Sequence, residues 1–231
     1  MQQQKKIFLI FMIVFLLGGN SHSYTDGRLL KDSALYDQLQ LQSKDILKEM
    51  IIIPEHTNFQ EDEVIDIIKR LDQLPRQLLH KLQTSGIKVK LFQGKLTDNR
   101  TASHLKGIKP RGYKDVNRSW DEVPGIGGSK TVLVKIGHSQ KGKGHGSINL
   151  ELHELGHSLH QLIYQNAYLS GEFMNSWRTE ANNLFPGNDY FLSYPEEYFA
   201  ECFAMYHYSD ETQQILKERA PHTFLFFSTL K

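Results

Sequence analysis

Residues 148–165 constrain this chain most tightly, because the run His153-Glu154-Leu155-Gly156-His157 inside them makes chemical sense only on a helix. Side chains four apart on a helix lie over one another, so two imidazoles at that spacing can hold one metal ion from a single face. Glu154 stands beside them. A carboxylate there can take a proton from a water that the metal has made more acidic, which generates the nucleophile of a hydrolase. Ile148, Leu152, Leu155, Leu159, Leu162 and Ile163 give the same helix an apolar side. His160 and Tyr164 extend along the histidine face, but His160 is displaced along one helix from the other two. Tetrahedral coordination by all three is therefore awkward, and His160 reads as a pocket-lining or structural residue. The third ligand has to come from elsewhere.

Residues 193–201 offer it. Ser193 can cap a helix whose first turn tolerates Pro195 and whose positive end favours Glu196 and Glu197. Glu197 and Glu201 are four apart, so one carboxylate can coordinate the metal while the other accepts from the back of a ligand imidazole. Phe199, Cys202, Phe203 and Tyr206 supply a side to pack. Taken alone, this pattern also fits a solvated acidic face.

The rest of the chain bounds the setting. At 231 residues and 39% hydrophobic content it can fill a core, as one domain or two tightly joined subdomains. Lys5 and Lys6 precede an apolar run over residues 7–17 and then small residues, the layout of a signal peptide spanning residues 1–23 and cleaved after Ser23. The run is too short for an ordinary membrane span, so no stable membrane insertion is expected after its removal. Without those two lysines the 27 basic residues fall to 25 against 26 acidic ones, which argues against a nucleic-acid partner. Cys202 is the single cysteine and can form no intrachain disulfide.

Residues 24–30 read as a loose terminus, and 31–50 as an imperfect helical stripe. Ile51, Ile52 and Ile53 make a short strand. A helix capped by Thr57 or Asn58 carries Val64, Ile67, Ile68 and Leu71 on one side and breaks at Pro75, after which Leu78, Leu79 and Leu82 continue the pattern. After Gly86 the period changes to that of strands with one face packed, over residues 87–92 and 131–137, the second read as half-buried or at an edge. Residues 103–109 suggest a helical turn, and 140–146, with three glycines, either a hinged lid or a plain surface loop. Helices follow over 172–180 and 211–219, with a short terminal helix over 223–230. The sum is an α+β fold, mostly helical, with a small mixed sheet. An N-terminal helical portion, 24–85, packs against a catalytic portion, 86–231, as one compact unit.

Several segments together carry a resemblance: Arg111-Gly112-Tyr113, residues 119–128 around Trp120-Asp121-Glu122-Val123-Pro124-Gly125, residues 141–154, and Tyr194-Pro195-Glu196-Glu197-Tyr198-Phe199-Ala200-Glu201. The chain resembles the anthrax-lethal-factor-like zinc metallopeptidases, and within them the compact secreted Pro-Pro endopeptidase branch. The resemblance implies a zincin-like fold, with His153, His157 and Glu197 as ligands of Zn2+ and Glu154 as general base. It further implies that Tyr190, in a loop, helps stabilise the oxyanion, that Glu201 supports the zinc shell, and that Arg118, Trp120 and Glu196 meet the substrate. At Arg118 the branch resembles a lysine-containing site, and the two cations differ in geometry. The expected function is a secreted zinc endopeptidase acting on Pro-Pro bonds of proline-containing peptides or extracellular proteins. The alternatives are a lethal-factor-like protease of broader specificity and a noncatalytic zinc-stabilised peptide-binding module.

Overall fold

The computed structural model describes residues 27–56, 58–111, 119–165 and 171–230. The signal-peptide segment, the Thr57 cap and Arg118 lie outside them. Five strands form one mixed sheet: β1 (Arg28–Leu29), β2 (Ile51–Ile53), β3 (Lys88–Phe92), β4 (Gly125–Ile126) and β5 (Thr131–Lys135), in the order β1-β2-β3-β5-β4. The inner pairs are parallel, with Val89 opposite both Ile51 and Val132. The outer strands run antiparallel, Arg28 opposite Ile53 and Gly125 opposite Val134. A parallel pair needs a long crossover. Between β2 and β3 it is made by two helices, α3 (Glu61–Asp72) and α4 (Arg76–Thr84), which follow the short α1 (Ala34–Gln38) and α2 (Lys44–Met50).

Two expectations about strands change. Residues 28–29, read as loose, pair with β2, so backbone partners order a segment that has no apolar alternation of its own. And β5 is no edge strand: Val132, Leu133 and Val134 are all buried between β3 and β4. Val132 and Val134 enter the main core with Val89 and Leu91. Leu133 and Phe92 face a second cluster with Leu96, Ala102 and Val123, against which Trp120 packs. Alternation alone predicted one covered face. Residues 96–105 and 120–123, in short 3-10 turns, cover the other.

The helical expectations hold for the long elements and shift at their ends. Val64, Ile67, Ile68 and Leu71 are buried on α3, whose N-cap is Gln60 and not Asn58. Pro75 caps α4, in keeping with its missing amide donor. The stripe over 31–50 is split into a 3-10 turn, α1 and α2. The expected turn over 103–109 forms earlier, as a 3-10 helix at Arg100–Leu105. The later helices are α5 (Leu150–Leu162), α6 (Glu172–Leu184), α7 (Asp189–Ser193), α8 (Pro195–Tyr208), α9 (Asp210–Arg219) and α10 (Pro221–Thr229). Ser193 ends α7 and does not cap α8, which starts from Tyr194 with Pro195 in its first turn. Glu180 of α6 caps α10, accepting from the His222 and Thr223 amides at 2.8 and 2.9 Å. The main cluster runs from Leu30 to Phe227, so residues of the N-terminal portion and of the later helices share one core. Among the described residues no helix is long and apolar enough to cross a membrane. The fold is thus predominantly helical with a small mixed sheet, as expected.

Candidate active site

α5 begins at Asn149, whose side chain accepts from the Leu152 amide at 3.0 Å. It packs against β4 and β5 and most extensively against α8. Gly156 permits that close crossing: a Cβ there would lie 3.0 Å from the Ala200 Cα and 3.2 Å from a Phe203 ring carbon. The helices meet at the turns that carry the polar residues of both.

The result is a triangle of donor atoms. His153 Nε2 and His157 Nε2 are 3.2 Å apart, and Glu197 Oε2 lies 3.4 and 3.2 Å from them. Behind His153, Nδ1 meets Glu201 Oε2 at 2.9 Å, while Glu201 Oε1 accepts from the Ile148 amide at 2.8 Å. A carboxylate only accepts, so Nδ1 carries a proton, and Nε2 points into the triangle, where it can take up a further proton or, through its lone pair, a metal ion. Lone pairs converging on one point fit a cation. The size fits as well: bonds of about 2.0–2.1 Å to a tetrahedral zinc ion give ligand-to-ligand edges of about 3.3–3.4 Å. Among the described residues these three form a group of the kind that holds a metal ion.

The electrostatics agree. Burial disfavours charge on His153, but hydrogen bonds with Glu197 and Glu201 outweigh it and raise the imidazole to about 10. Burial pushes Glu197 up, and its bonds to the two histidines win and hold it far below the carboxylate range. The cluster draws positive charge to its centre. Glu154 differs: burial raises its carboxyl above the ordinary range, the direction suited to a group that must take and release a proton. The nearby Gly127 amide works the other way, favouring the charged form, but does not outweigh burial.

Gly127 sits against the helix so closely that a Cβ would fall 1.9 Å from the Glu154 carbonyl oxygen. Backbone cannot yield as a side-chain tip can. We expect Gly127→Ala to cost about 3 kcal/mol, the upper part of the overpacking range, read as a lowered urea midpoint. An unchanged midpoint would contradict this approach of strand to helix.

Around the triangle lies a cleft of about 1220 Å³. It brings together Glu154, Tyr190, Glu196 and Trp120 from four separate segments. Tyr190 stands in the short helix α7 and not in a loop, its amide donating to Asn188 at 3.2 Å. Burial and the neighbouring Glu197 charge raise its phenol, which therefore keeps its proton as a donor. Trp120 is half-buried in a 3-10 turn on the cleft rim. His160 also lines the cleft, as read from the sequence. Gly142, Gly144 and Gly146 form part of the opposite rim. Their loop is tied down: His145 Nε2 donates to the His138 carbonyl at 2.7 Å, Nδ1 meets Ser147 Oγ at 2.6 Å, and Gln140 bridges to Asn149. Burial holds His145 below the usual imidazole range. Sequence reasoning gave no role to Arg111, although it stood inside a quoted motif. Its guanidinium reaches Glu196 at 2.7 Å and lies 4.0 Å over the Tyr194 ring.

Comparison with known proteins agrees with this geometry. Residues 38–230 match the family model described as anthrax toxin lethal factor, N- and C-terminal domain. The chain belongs to the anthrax toxin lethal factor family. Two similar proteins of known name lie close to it. It is 35% identical to the Pro-Pro endopeptidase of Clostridioides difficile (strain 630) over 232 residues, covering 100% of this chain and 99% of that protein. It is 38% identical to the Pro-Pro endopeptidase of Paenibacillus alvei over 189 residues, covering 82% of this chain and 86% of that protein. The solved structure of the Pro-Pro endopeptidase from Paenibacillus alvei superposes with a TM-score of 0.75 at 38% identity, covering 80% of this chain and 100% of that one. Membership of the lethal factor family and the His-His-Glu donor set together make this chain a zinc metallopeptidase with a zincin-like fold.

Proposed function

We propose that this protein is a secreted endopeptidase that uses zinc to hydrolyse the bond between adjacent prolines in extracellular proteins. The observation that carries the reading is the donor triangle of His153, His157 and Glu197 with Glu154 beside it in one cleft. The proline preference is supported by the similarity to two proteins named Pro-Pro endopeptidases. Secretion follows from residues 1–23 read as a removable signal peptide, leaving 24–85 and 86–231 as one working unit.

Bound zinc supplies Lewis acidity, lowering the pKa of water and polarising the scissile carbonyl. Glu154 takes a proton from the attacking water as its oxygen bonds to the carbonyl carbon. Tyr190 donates its phenolic hydrogen to the oxygen that becomes negative. When the carbon–nitrogen bond breaks, Glu154 returns the proton to the departing proline nitrogen. Glu201 keeps His153 turned with Nε2 forward. Arg118, Trp120 and Glu196 meet the substrate, and Trp120 and Glu196 line the cleft. A proline on either side of the bond removes amide donors and fixes φ, so recognition rests on ring shape and on carbonyl acceptors.

A digest of a peptide library by the purified mature chain tests this reading. Cleavage between prolines should stop with chelator and return with added zinc, and free zinc at 100 times its Kd should stabilise the fold by about 2.7 kcal/mol. Efficient cleavage at other bonds would reject the proline preference and favour the broader protease. Zinc retention with peptide binding and no cleavage would favour the noncatalytic module.

A further inference from the structure

Glu197 presents its two oxygens to different partners. Oε2 faces both imidazoles, at 3.4 and 3.2 Å, whereas Oε1 faces Arg111 Nη2 at 3.5 Å. The same Nη2 lies 2.7 Å from Glu196 Oε1. Two adjacent carboxylates in the first turn of α8 therefore share one guanidinium, with Glu154 and Glu201 adding negative charge nearby. Like charges so close repel, and each would be drawn to a cation in the triangle. A carboxylate with both oxygens free can also swing from one-oxygen to two-oxygen coordination.

We propose that Arg111 is a positioning residue for the metal centre, a role that rests on the zinc reading above: it restrains Oε1 of Glu197 so that Oε2 is the oxygen turned to the two imidazoles, and it keeps the Glu196 carboxylate in the cleft but away from the donor triangle. The plane of the guanidinium is set by stacking on Tyr194, 4.0 Å away, and Tyr194 in turn meets the Tyr190 ring edge-on at 5.4 Å. One cation thus braces a ligand, a cleft carboxylate and the tyrosine beside the oxyanion donor. Lysine can supply the charge. It cannot supply a flat cationic face over the Tyr194 ring.

The test uses the purified full mature chain, Arg111→Met and Arg111→Lys, titrated with zinc against a chelating dye of known affinity. Partners that orient a metal ligand are worth about 10–100-fold in affinity, and Arg111→Met should lose that much, with Arg111→Lys falling between it and the parent. The side chain is 52% exposed, so the thermal midpoint of the metal-free protein should not move. Zinc affinity of Arg111→Met within twofold of the parent overturns the proposal, as does a fall in the metal-free midpoint that accounts for the whole effect. Equal affinity in the Lys variant overturns the stacking account. If the parent chain binds no zinc, the zinc reading itself fails first; a zinc-binding parent with an unaffected Met variant defeats the Arg111 role alone.

Discussion

Glu154→Gln lowers kcat by about 10²–10⁴-fold while leaving zinc content unchanged, because it removes only the proton acceptor. The amide is nearly isosteric with the carboxyl it replaces. Glu154 lies outside the triangle of His153 Nε2, His157 Nε2 and Glu197 Oε2, so the donor set stays intact. Stability should hold or rise slightly, since a buried carboxyl whose charged form is disfavoured becomes neutral. Steady-state kinetics on a Pro-Pro peptide, paired with metal analysis of the same preparation, read both halves. Turnover within tenfold of the parent in zinc-loaded protein would falsify Glu154 as the base, and loss of the metal would place it among the ligands.

Arg70→Met should destabilise the fold by about 3–5 kcal/mol, the cost of stripping its partner from a buried charge. Glu151 stands in the first turn of α5, two residues before His153, and is wholly buried. Its Oε1 takes the Arg70 Nε from α3 at 2.9 Å, while Oε2 has no hydrogen-bond partner among the described residues. The guanidinium also lies 4.9 Å over the Tyr208 ring at the end of α8, so one side chain touches α3 and both metal-site helices. Methionine keeps much of the stem and removes the charge. A denaturant titration should show a large drop in midpoint, and Arg70→Met with Glu151→Gln should regain most of it because no unpaired charge remains. If the double variant is as unstable as the single one, packing of the arginine stem and not its charge holds the helices together.

Much of this molecule could be read from residue spacing. Two histidines four apart on an apolar-backed helix dictate both the helix and a shared face, and α5 carries them so. The buried stripe of α3, the break at Pro75 and the strands at residues 88–92 and 131–135 follow equally from local periodicity. The resemblance named Glu197 as the third ligand and Glu201 behind His153, and the two carboxylates stand where it implied. Other features had no local signal. β5 lies inside the sheet because partners from residues 88–92 and 125–126 flank it, while the alternation of β5 alone fitted an edge equally well. Arg111 lies 85 residues from Glu196, so no window of sequence relates the two.

The sequence by itself determined which side chains share a helical face, because backbone geometry fixes that within a turn or two of chain. It thereby set the chemistry available: two imidazoles, a neighbouring base and a second pair of carboxylates four apart. Only the tertiary structure decided that Glu197 Oε2 comes within 3.2 Å of His157 Nε2, that Gly127 presses its backbone onto Glu154, and that Arg111 holds the other oxygen of Glu197. Those distances depend on how closely two helices and a strand pack. Gly156 and Gly127 set that closeness through atoms they lack, and the effect of a missing Cβ is visible only against the neighbour it admits.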